Sequence, residues 1–336
     1  MQVNIIVSPP VTLERSLFVS IKIDGMVRVA AATPHVKVAD CPYNKNEMAK
    51  MIREAAANGA SVIAFPELAM TGYTCGDLFK DRKLMESAKA CLFDLIEETE
   101  DLDILCAVGM PIPSGGALYN CAAVFSRGVL LGLPAKQHIP NYSEFYELRH
   151  FSPAPESGML RYAGDWYGCR DVVFELAPDV TVGVEICEDL WVAQPPSISH
   201  ALAGATVIAN LSASDETTGK DIYRRSLVSG QSARLVCGYI YADAGEGESS
   251  TDLVFGAHNL ICENGSILAE SERFSNQMIM ADMDMSKLIS ERRRMTTWQP
   301  KFDNGYRVID FDLEMHEVDL RRFIDPHPFV PDDAMD

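Results

Sequence analysis

The 336-residue sequence predicts an α/β protein in which helices cover mixed β-sheets. In the first third of the chain, short apolar runs alternate with stretches whose apolar residues recur at helical spacing, as in βαβ units. Further along, pairs of apolar runs are separated by turn sequences, which is typical of antiparallel hairpins. The hydrophobic fraction of 47% and the charged fraction of 23% are those of a globular protein with a large core.

The first part of the predicted fold alternates strands with helices. The apolar run at 27–32 predicts a buried strand. Asn44 or Asn46 could cap the helix that follows, and Asn58-Gly59 ends it. The other elements predicted in this part are a strand at 61–65, a helix at 84–98 and a strand at 104–110.

The second part is predicted to contain hairpins as well as helices. Ser126-Arg127-Gly128 and Asn264-Gly265 each separate two apolar runs, and Asn-Gly is the strongest short hairpin signal. The strands predicted here are 118–125, 129–133, 171–176, 181–186, 206–211, 239–242, 253–262, 266–270 and 278–283, and the helices are 197–202 and 222–237.

One large domain is predicted at 26–300. Residues 1–25 are interpreted as an extension before the first core strand, with Met26 as an alternative start and 17–23 as an alternative edge strand. In 301–336 the periodic pattern weakens and Pro and Asp accumulate, so this segment is interpreted as a linker or tail.

Charge and cysteine spacing exclude several classes of protein. Lys and Arg number 29 against 48 Asp and Glu, and the net charge of −19 opposes binding to nucleic acid or to an anionic membrane. No two of the nine cysteines are three residues apart and the histidines are scattered, so we expect no metal site and no CxxC redox pair. No apolar run reaches ~18 residues and no signal peptide is recognisable, so we expect a cytoplasmic protein with reduced thiols.

Two charged residues follow predicted strands and are candidates for chemistry. Glu67 comes directly after a buried strand, where burial would suit a carboxylate to general base work; the alternative is a Glu that caps a helix or pairs with a lysine. Lys136 follows the first hairpin and could stabilise an oxyanion or a thiolate; the alternative is a solvated lysine. His138 has no clear partner nearby in sequence and is interpreted as a loop or packing residue.

Cys187 is the candidate nucleophile. It ends a predicted strand at a polar turn, a position from which a thiol projects from the sheet as at a nucleophile elbow. The alternative is a small buried apolar residue, which is what most free cysteines are. The acidic neighbours Glu185, Glu188 and Asp189 would raise the pKa of the thiol unless a cation such as Lys136 intervenes.

Taken together, Glu67, Lys136 and Cys187 resemble the Glu-Lys-Cys triad of the nitrilase superfamily. Longer segments are similar to the glutaminase domain of the glutamine-dependent NAD synthetase family, and the similarity extends over 26–331. These segments are VRVAAATPHVKVAD (27–40), FPELAMTGY (65–73), KQHIPNYSEFYELRHF (136–151), EICEDLW (185–191) and NLSASD (210–215).

The resemblance implies a four-layer α-β-β-α sandwich with the triad at one end. In it Glu67 is the general base, Cys187 attacks the side-chain amide of glutamine, and Lys136 stabilises the oxyanion. Ammonia then leaves, and water hydrolyses a glutamyl thioester.

The resemblance also implies a glutamine pocket. Tyr142 and Ser214 match residues that contact the substrate, and Lys220 stands where the family places a basic residue, often Arg, near the substrate carboxylate. A lysine there lacks the bidentate fork of arginine. Tyr73, Phe145 and Glu188 match residues that line the pocket, and Glu147 matches an additional carboxylate near the lysine.

The synthetase half of that family carries an SGGxDS loop for ATP. Ser114-Gly115-Gly116 is followed by Ala117-Leu118 instead, and no Walker P-loop is present, so we expect no cofactor in this chain. ATP, Mg²⁺ and deamido-NAD are expected only at a synthetase domain, which would act with this chain in cis or in trans. The resemblance further implies a homo-oligomer and slow turnover by the isolated domain.

Two other functions remain open on the sequence. One is a free-standing nitrilase-type amidase or carbamoylase that acts on another small amide, which the triad permits. The other is a non-enzymatic module that keeps the fold for assembly, because a fold alone does not imply catalysis.

Overall fold

The computed structural model describes residues 25–250, 252–301, 305–315, 319–322 and 324. Apart from Gly25, the predicted extension and the alternative edge strand lie outside these residues. The helices are α1 Cys41–Ala57, α2 Arg82–Glu98, α3 Glu188–Trp191, α4 Pro196–Leu202, α5 Lys220–Leu235 and α6 Met285–Arg294, with 3₁₀ helices at Tyr73–Lys80 and Glu147–Arg149. The strands are β1 Met26–Ala32, β2 Val62–Ala64, β3 Leu105–Ser114, β4 Ala117–Ser126, β5 Val129–Gly132, β6 Met159–Tyr162, β7 Asp165–Gly168, β8 Val172–Ala177, β9 Val180–Ile186, β10 Val207–Ser212, β11 Gly238–Asp243, β12 Leu260–Glu263, β13 Ser266–Glu270, β14 Met278–Asp284 and β15 Arg307–Asp310.

Two mixed sheets form the centre of the described part of the chain. The first has the order β14-β1-β2-β3-β4-β5, with β1, β2 and β3 parallel and the other pairs antiparallel. The second has the order β13-β12-β11-β10-β9-β8-β15, with β9, β10 and β11 parallel. Parallel strands therefore lie at the middle of each sheet. Hairpins extend both sheets outward, and β14, antiparallel to β1, and β15, parallel to β8, form one edge of the first and of the second sheet.

The two sheets pack face to face, and helices cover their outer faces. Val29 and Ala64 of the first sheet share one apolar cluster with Val184 and Leu211 of the second. The outer face of the first sheet packs against α1 and α2, and that of the second packs against α4 and α5. This is the predicted four-layer α-β-β-α sandwich, and alternation of side chains along each strand produces it, because each sheet buries both faces.

Most predicted elements are confirmed within a residue or two. The inward residues of α2 are those that helical periodicity selects, and both hairpin turns have the expected left-handed residues, Arg127-Gly128 and Asn264-Gly265. The α1 cap was predicted wrongly: Asp40 accepts from the Tyr43 N–H, whereas Asn44 is buried and bonds the Lys37 backbone.

The structure also contains elements that the sequence did not predict. The strand expected at 253–262 is reduced to β12, because Ala257 adopts a positive φ that interrupts extended backbone. The hairpin β6–β7, the polar helix α6 and the edge strand β15 were not expected. Strand β15 pairs with β8, so the second sheet continues into the segment interpreted as a linker or tail.

Among the described residues, no helix combines the length and apolar character needed to cross a bilayer.

Candidate active site

The three candidate residues come together where strands of the two sheets end. Glu67 follows β2, Cys187 follows β9, and Lys136 follows β5. All three are buried, and the Lys136 side chain has no exposed surface. In open α/β sheets, ligand sites gather at the carboxyl ends of parallel strands; β2 lies between two parallel strands, and β9 is parallel to β10 and antiparallel to β8.

The Glu67 carboxylate is held by donors from both sheets. Its Oε1 accepts from Lys136 Nζ at 2.6 Å and from Asn120 Nδ2 at 2.6 Å. Its Oε2 accepts from the Ala213 N–H at 3.1 Å, just beyond β10. Both oxygens are therefore oriented, which fixes the direction in which the carboxylate can accept a further proton.

Gly109 makes room for the segment that carries Glu67. A Cβ at Gly109 would lie 2.3 Å from the Pro66 carbonyl oxygen and 2.3 Å from the Leu68 nitrogen. Sequence reasoning missed this residue, although a glycine inside an apolar strand is a known signal of close backbone approach. Asn120 carried a similar signal, since it is a polar residue inside the apolar strand β4.

Lys136 bridges two buried carboxylates. Its Nζ lies 2.6 Å from Glu67 Oε1 and 2.7 Å from Glu147 Oε1, and Tyr73 Oη donates to Glu147 Oε1 at 2.8 Å. Burial lowers the pKa of Lys136, but the charges of Glu147 and Glu67 outweigh it and hold this pKa above its ordinary value. Lys136 therefore stays an ammonium, and its N–H groups donate to Glu67 Oε1 and to both oxygens of Glu147.

Burial raises the pKa of Glu147 to about 7, with the charge of Glu67 adding to the effect and Lys136 opposing it. Because the folded pKa exceeds the unfolded one, Glu147 contributes stability that is present below about pH 4.5 and lost as the pH rises through about 7. We therefore expect the free energy of unfolding to fall more steeply between these pH values in the native protein than in Glu147→Gln. Urea denaturation across this range measures both slopes, and equal slopes would contradict the assignment.

Cys187 occupies a strained turn between β9 and α3. Its φ of 44° lies in the left-handed region, which a residue with a side chain adopts at a cost. Its N–H donates to the Leu211 carbonyl at 3.0 Å and to Asn210 Oδ1 at 3.2 Å, which holds the turn to β10. The predicted turn is thus observed, with Cys187 between the end of β9 and the start of α3.

Burial raises the pKa of the Cys187 thiol well above its ordinary value, with Glu67 adding to the effect and Lys136 opposing it. The thiol is therefore protonated at neutral pH. A nucleophilic role needs a base that removes the proton during attack, and Glu67 is among the charges that act on this thiol.

Asp189 ties the Cys187 turn to the segment after Lys136, a role that its sequence position did not reveal. Its carboxylate accepts from the Ile186 N–H at 3.1 Å on one side and from the His138 N–H at 2.9 Å on the other. His138 Nδ1 also lies 2.9 Å from Asp189 Oδ1, so the partner that the sequence did not show for His138 is Asp189. Both oxygens of the Asp189 carboxylate accept hydrogen bonds that hold these two segments together.

The other predicted pocket residues contact one another beside Cys187 and, together with Asp215, form the pocket wall, which consists of Tyr142, Phe145, Glu188, Ser214, Asp215 and Lys220. Tyr142 Oη donates to Glu188 Oε1 at 2.9 Å, and the Tyr142 ring packs edge-on against Phe145. Lys220 Nζ lies 5.7 Å from the centre of the Phe145 ring and forms an ion pair with Asp215. Tyr73, also predicted to line the pocket, donates its hydroxyl hydrogen to Glu147.

Ser214 is buried at the base of this wall, where its N–H donates to Asp243 Oδ1 at 2.8 Å. Asp215 and Asp243 were not predicted as site residues. Asp243 binds Ser214 from 29 residues away, so no local pattern could have identified it, whereas Asp215 pairs with Lys220 only five residues along the chain.

Relatives named for one activity cover nearly the whole chain. The glutamine-dependent NAD(+) synthetase of Mycobacterium tuberculosis (strain ATCC 25618 / H37Rv) is 41% identical over 323 residues, which are 92% of this chain and 48% of that protein. The human glutamine-dependent NAD(+) synthetase is 28% identical over 317 residues, covering 89% of this chain and 45% of that protein. The chain spans about half the length of the curated relatives it matches.

Solved structures show the same architecture. A glutamine-dependent NAD(+) synthetase from Cytophaga hutchinsonii superposes with a TM-score of 0.69 at 30% identity, covering 76% of this chain and 43% of that chain. An amidase from Nesterenkonia sp. superposes with a TM-score of 0.61 at 18% identity, covering 82% of this chain and 98% of that chain, which is a similarity of fold.

The family model for carbon-nitrogen hydrolases matches residues 28–293. This range includes both sheets apart from the first two residues of β1 and the strand β15, together with Glu67, Lys136, Glu147 and Cys187. On the fold, the site and this match, the chain belongs to the carbon-nitrogen hydrolase family.

Proposed function

We propose that this chain hydrolyses the side-chain amide of glutamine with Cys187 as nucleophile, Glu67 as general base and Lys136 as oxyanion stabiliser. The observation that carries the proposal is the buried Glu67–Lys136–Glu147 cluster, whose charges act on a neutral thiol held at a strained strand end. A buried site in which carboxylates and a cation act in opposite directions on the pKa of a thiol is characteristic of catalysis.

The first half-reaction forms a thioester. Glu67 takes the proton of the Cys187 thiol as the sulfur attacks the amide carbon, and the carbonyl oxygen becomes an oxyanion next to the Lys136 ammonium. The C–N bond then breaks, the proton on Glu67 passes to the leaving nitrogen, and ammonia departs from the γ-glutamyl thioester.

The second half-reaction regenerates the enzyme. Glu67 takes a proton from water, the hydroxyl oxygen attacks the thioester carbon, and Lys136 again lies next to the oxyanion. The C–S bond breaks, the proton returns to the sulfur, and glutamate leaves. The sum is glutamine plus water giving glutamate plus ammonia.

The wall beside Cys187 has the chemistry to bind an amino-acid head group. Lys220 and Asp215 are an adjacent cation and anion, and a zwitterionic head group presents the opposite charges. Ser214, Tyr142 and Glu188 add hydroxyl and carboxylate groups, and Phe145 adds an apolar surface. We assign Lys220 to the substrate carboxylate. Glu147 holds Lys136 in position, and Tyr73 donates a hydrogen bond to Glu147.

The names of the relatives support a destination for the ammonia. We propose that it is delivered to a synthetase domain, in cis or in trans, that binds ATP, Mg²⁺ and deamido-NAD and amidates the last of these. In this proposal the chain itself holds no cofactor, works within a homo-oligomer and turns over slowly until the synthetase site is filled.

Glutamate release from glutamine by the purified chain, measured beside Cys187→Ala and Cys262→Ala, tests the proposal. We expect slow release in the native chain and in Cys262→Ala, whose buried thiol lies in the apolar cluster under α5, and none in Cys187→Ala. If the native chain releases nothing, mass spectrometry of Cys187 after exposure to a diazoketone analogue of glutamine decides. Labelling supports a glutaminase that needs its partner, whereas no labelling, or turnover of another amide only, would contradict the proposal.

A further inference from the structure

Arg224 is a fully buried arginine whose guanidinium binds three consecutive residues, Ser214 and Asp215 of the pocket wall and the adjacent Glu216. Its Nη2 donates to Ser214 Oγ at 3.2 Å and to the Asp215 carbonyl oxygen at 3.0 Å. Its Nη1 donates to Glu216 Oε1 and to His258 Nδ1. The side chain comes from α5, one turn beyond Lys220.

Two of the residues that Arg224 binds, Ser214 and Asp215, carry groups that the proposed function assigns to the head group of glutamine. Ser214 Oγ accepts from Arg224, so the hydroxyl hydrogen is left to point elsewhere. The Asp215 backbone is held by Arg224 while its carboxylate pairs with Lys220. The position of the Lys220 ammonium therefore depends, through Asp215, on the Arg224 guanidinium.

The acidic groups around Arg224 require a positive charge, and the number of its hydrogen-bond acceptors requires the planar fork of arginine. Asp243 Oδ2 lies 3.9 Å from Nη1, and Asp243 Oδ1 accepts the Ser214 N–H. A lysine would keep one positive charge near Glu216 and Asp243 but could not reach Ser214, Asp215 and His258 together, because it lacks the planar fork. Arg224→Lys thus removes geometry while keeping the charge.

We propose that Arg224 is a positioning residue that sets selectivity for the amino-acid head group by fixing Ser214 and Asp215, and through Asp215 the ammonium of Lys220. This inference rests on the proposed function. It predicts that loss of the fork weakens reaction with ligands that carry an α-amino acid group and spares reaction with amides that lack one.

Two electrophiles separate this effect from general damage. The diazoketone analogue of glutamine carries the full head group and loses dinitrogen as the Cys187 sulfur is alkylated. Iodoacetamide carries only an amide and loses iodide at the same sulfur. The ratio of their second-order labelling rates at Cys187, obtained by intact mass and peptide mapping, measures head-group selectivity independently of nucleophile integrity.

We expect Arg224→Lys to lower this ratio by about tenfold to a hundredfold, as expected for loss of charge-assisted hydrogen bonds, with the iodoacetamide rate changed less than about threefold. Arg292→Lys is the matched control. Arg292 is a buried arginine that donates to the carbonyl oxygens of Ala205, Leu235 and Val236, and we expect it to leave the ratio unchanged.

The labelling rates test the role of Arg224 separately from the glutaminase activity. An unchanged ratio in Arg224→Lys, whether both rates stay the same or fall equally, would overturn the inference and leave the glutaminase proposal standing. A native chain that reacts with iodoacetamide but not with the diazoketone would overturn both. If Arg224→Lys does not fold, His258→Ala removes one acceptor of Arg224 without replacing Ser214 or Asp215, and we expect a smaller fall in the ratio; no fall there would overturn the inference.

Discussion

Replacing Lys136 with methionine is expected to lower the free energy of unfolding by about 3–5 kcal/mol and the rate of glutamine hydrolysis by at least about 10²–10³-fold. The ammonium is fully buried between Glu67 and Glu147, so its removal leaves two buried carboxylates without a cation. Methionine fills much of the same volume, and the loss is therefore one of charge rather than of packing. Urea denaturation and glutamate release measure the two effects.

The stability effect of Lys136→Met should depend on pH. Lys136 lowers the pKa of Glu147, so its removal raises that pKa further, and the folded variant binds a proton that the unfolded chain releases. We expect a larger loss of stability at about pH 8 than at about pH 5.5. The double variant Lys136→Met/Glu147→Gln should recover part of the stability and none of the activity.

Lys45→Met is the control for loss of a lysine charge. Lys45 pairs with Glu98, whose side chain is 44% exposed, and a solvent-screened pair of this kind contributes about 0–1 kcal/mol. If Lys136→Met at about pH 8 were no less stable than Lys45→Met, the Lys136 ammonium could not be what stabilises the buried carboxylates of Glu67 and Glu147.

Replacing Gly109 with alanine is expected to lower kcat/KM for glutamine by about 100-fold and the free energy of unfolding by about 1–3 kcal/mol. The added Cβ would lie 2.3 Å from both Leu68 N and Pro66 O, and these are backbone atoms that no rotamer change can move aside. The Pro66–Leu68 segment must shift, and Glu67 shifts with it relative to its three donors. Steady-state kinetics and thermal unfolding test both effects.

Gly230→Ala is the matched control for Gly109→Ala. Gly230 lies in α5, and an added Cβ there would meet no atom within 4 Å. Alanine is favoured over glycine inside a helix, so the control should gain about 0.5–1 kcal/mol without a change in kcat/KM. Native kinetics in Gly109→Ala would show that the strand contact does not position Glu67.

The elements that the sequence predicted well are those whose signal is local. The six inward residues of α2 follow from spacing alone, and the turns at Arg127-Gly128 and Asn264-Gly265 follow from backbone preference. The strand expected at 253–262 shows the opposite case. Its apolar run satisfies the strand pattern, but Ala257 has a positive φ, and its N–H donates to the carbonyl of Ala244 in another segment.

By itself, the sequence determined the α/β class, the order of most strands and helices, and the residue types at three strand ends: a carboxylate at Glu67, an ammonium at Lys136 and a thiol at Cys187. The way in which these groups are held is visible only in the folded protein, because Glu67 and the Lys136 segment bind residues 51 to 146 positions away. Asn120 and Ala213 orient Glu67, and Asp189 joins the Lys136 segment to the Cys187 turn. Hydrogen bonds between distant segments leave no periodic or local signal in the sequence, because they form only when the two sheets pack together.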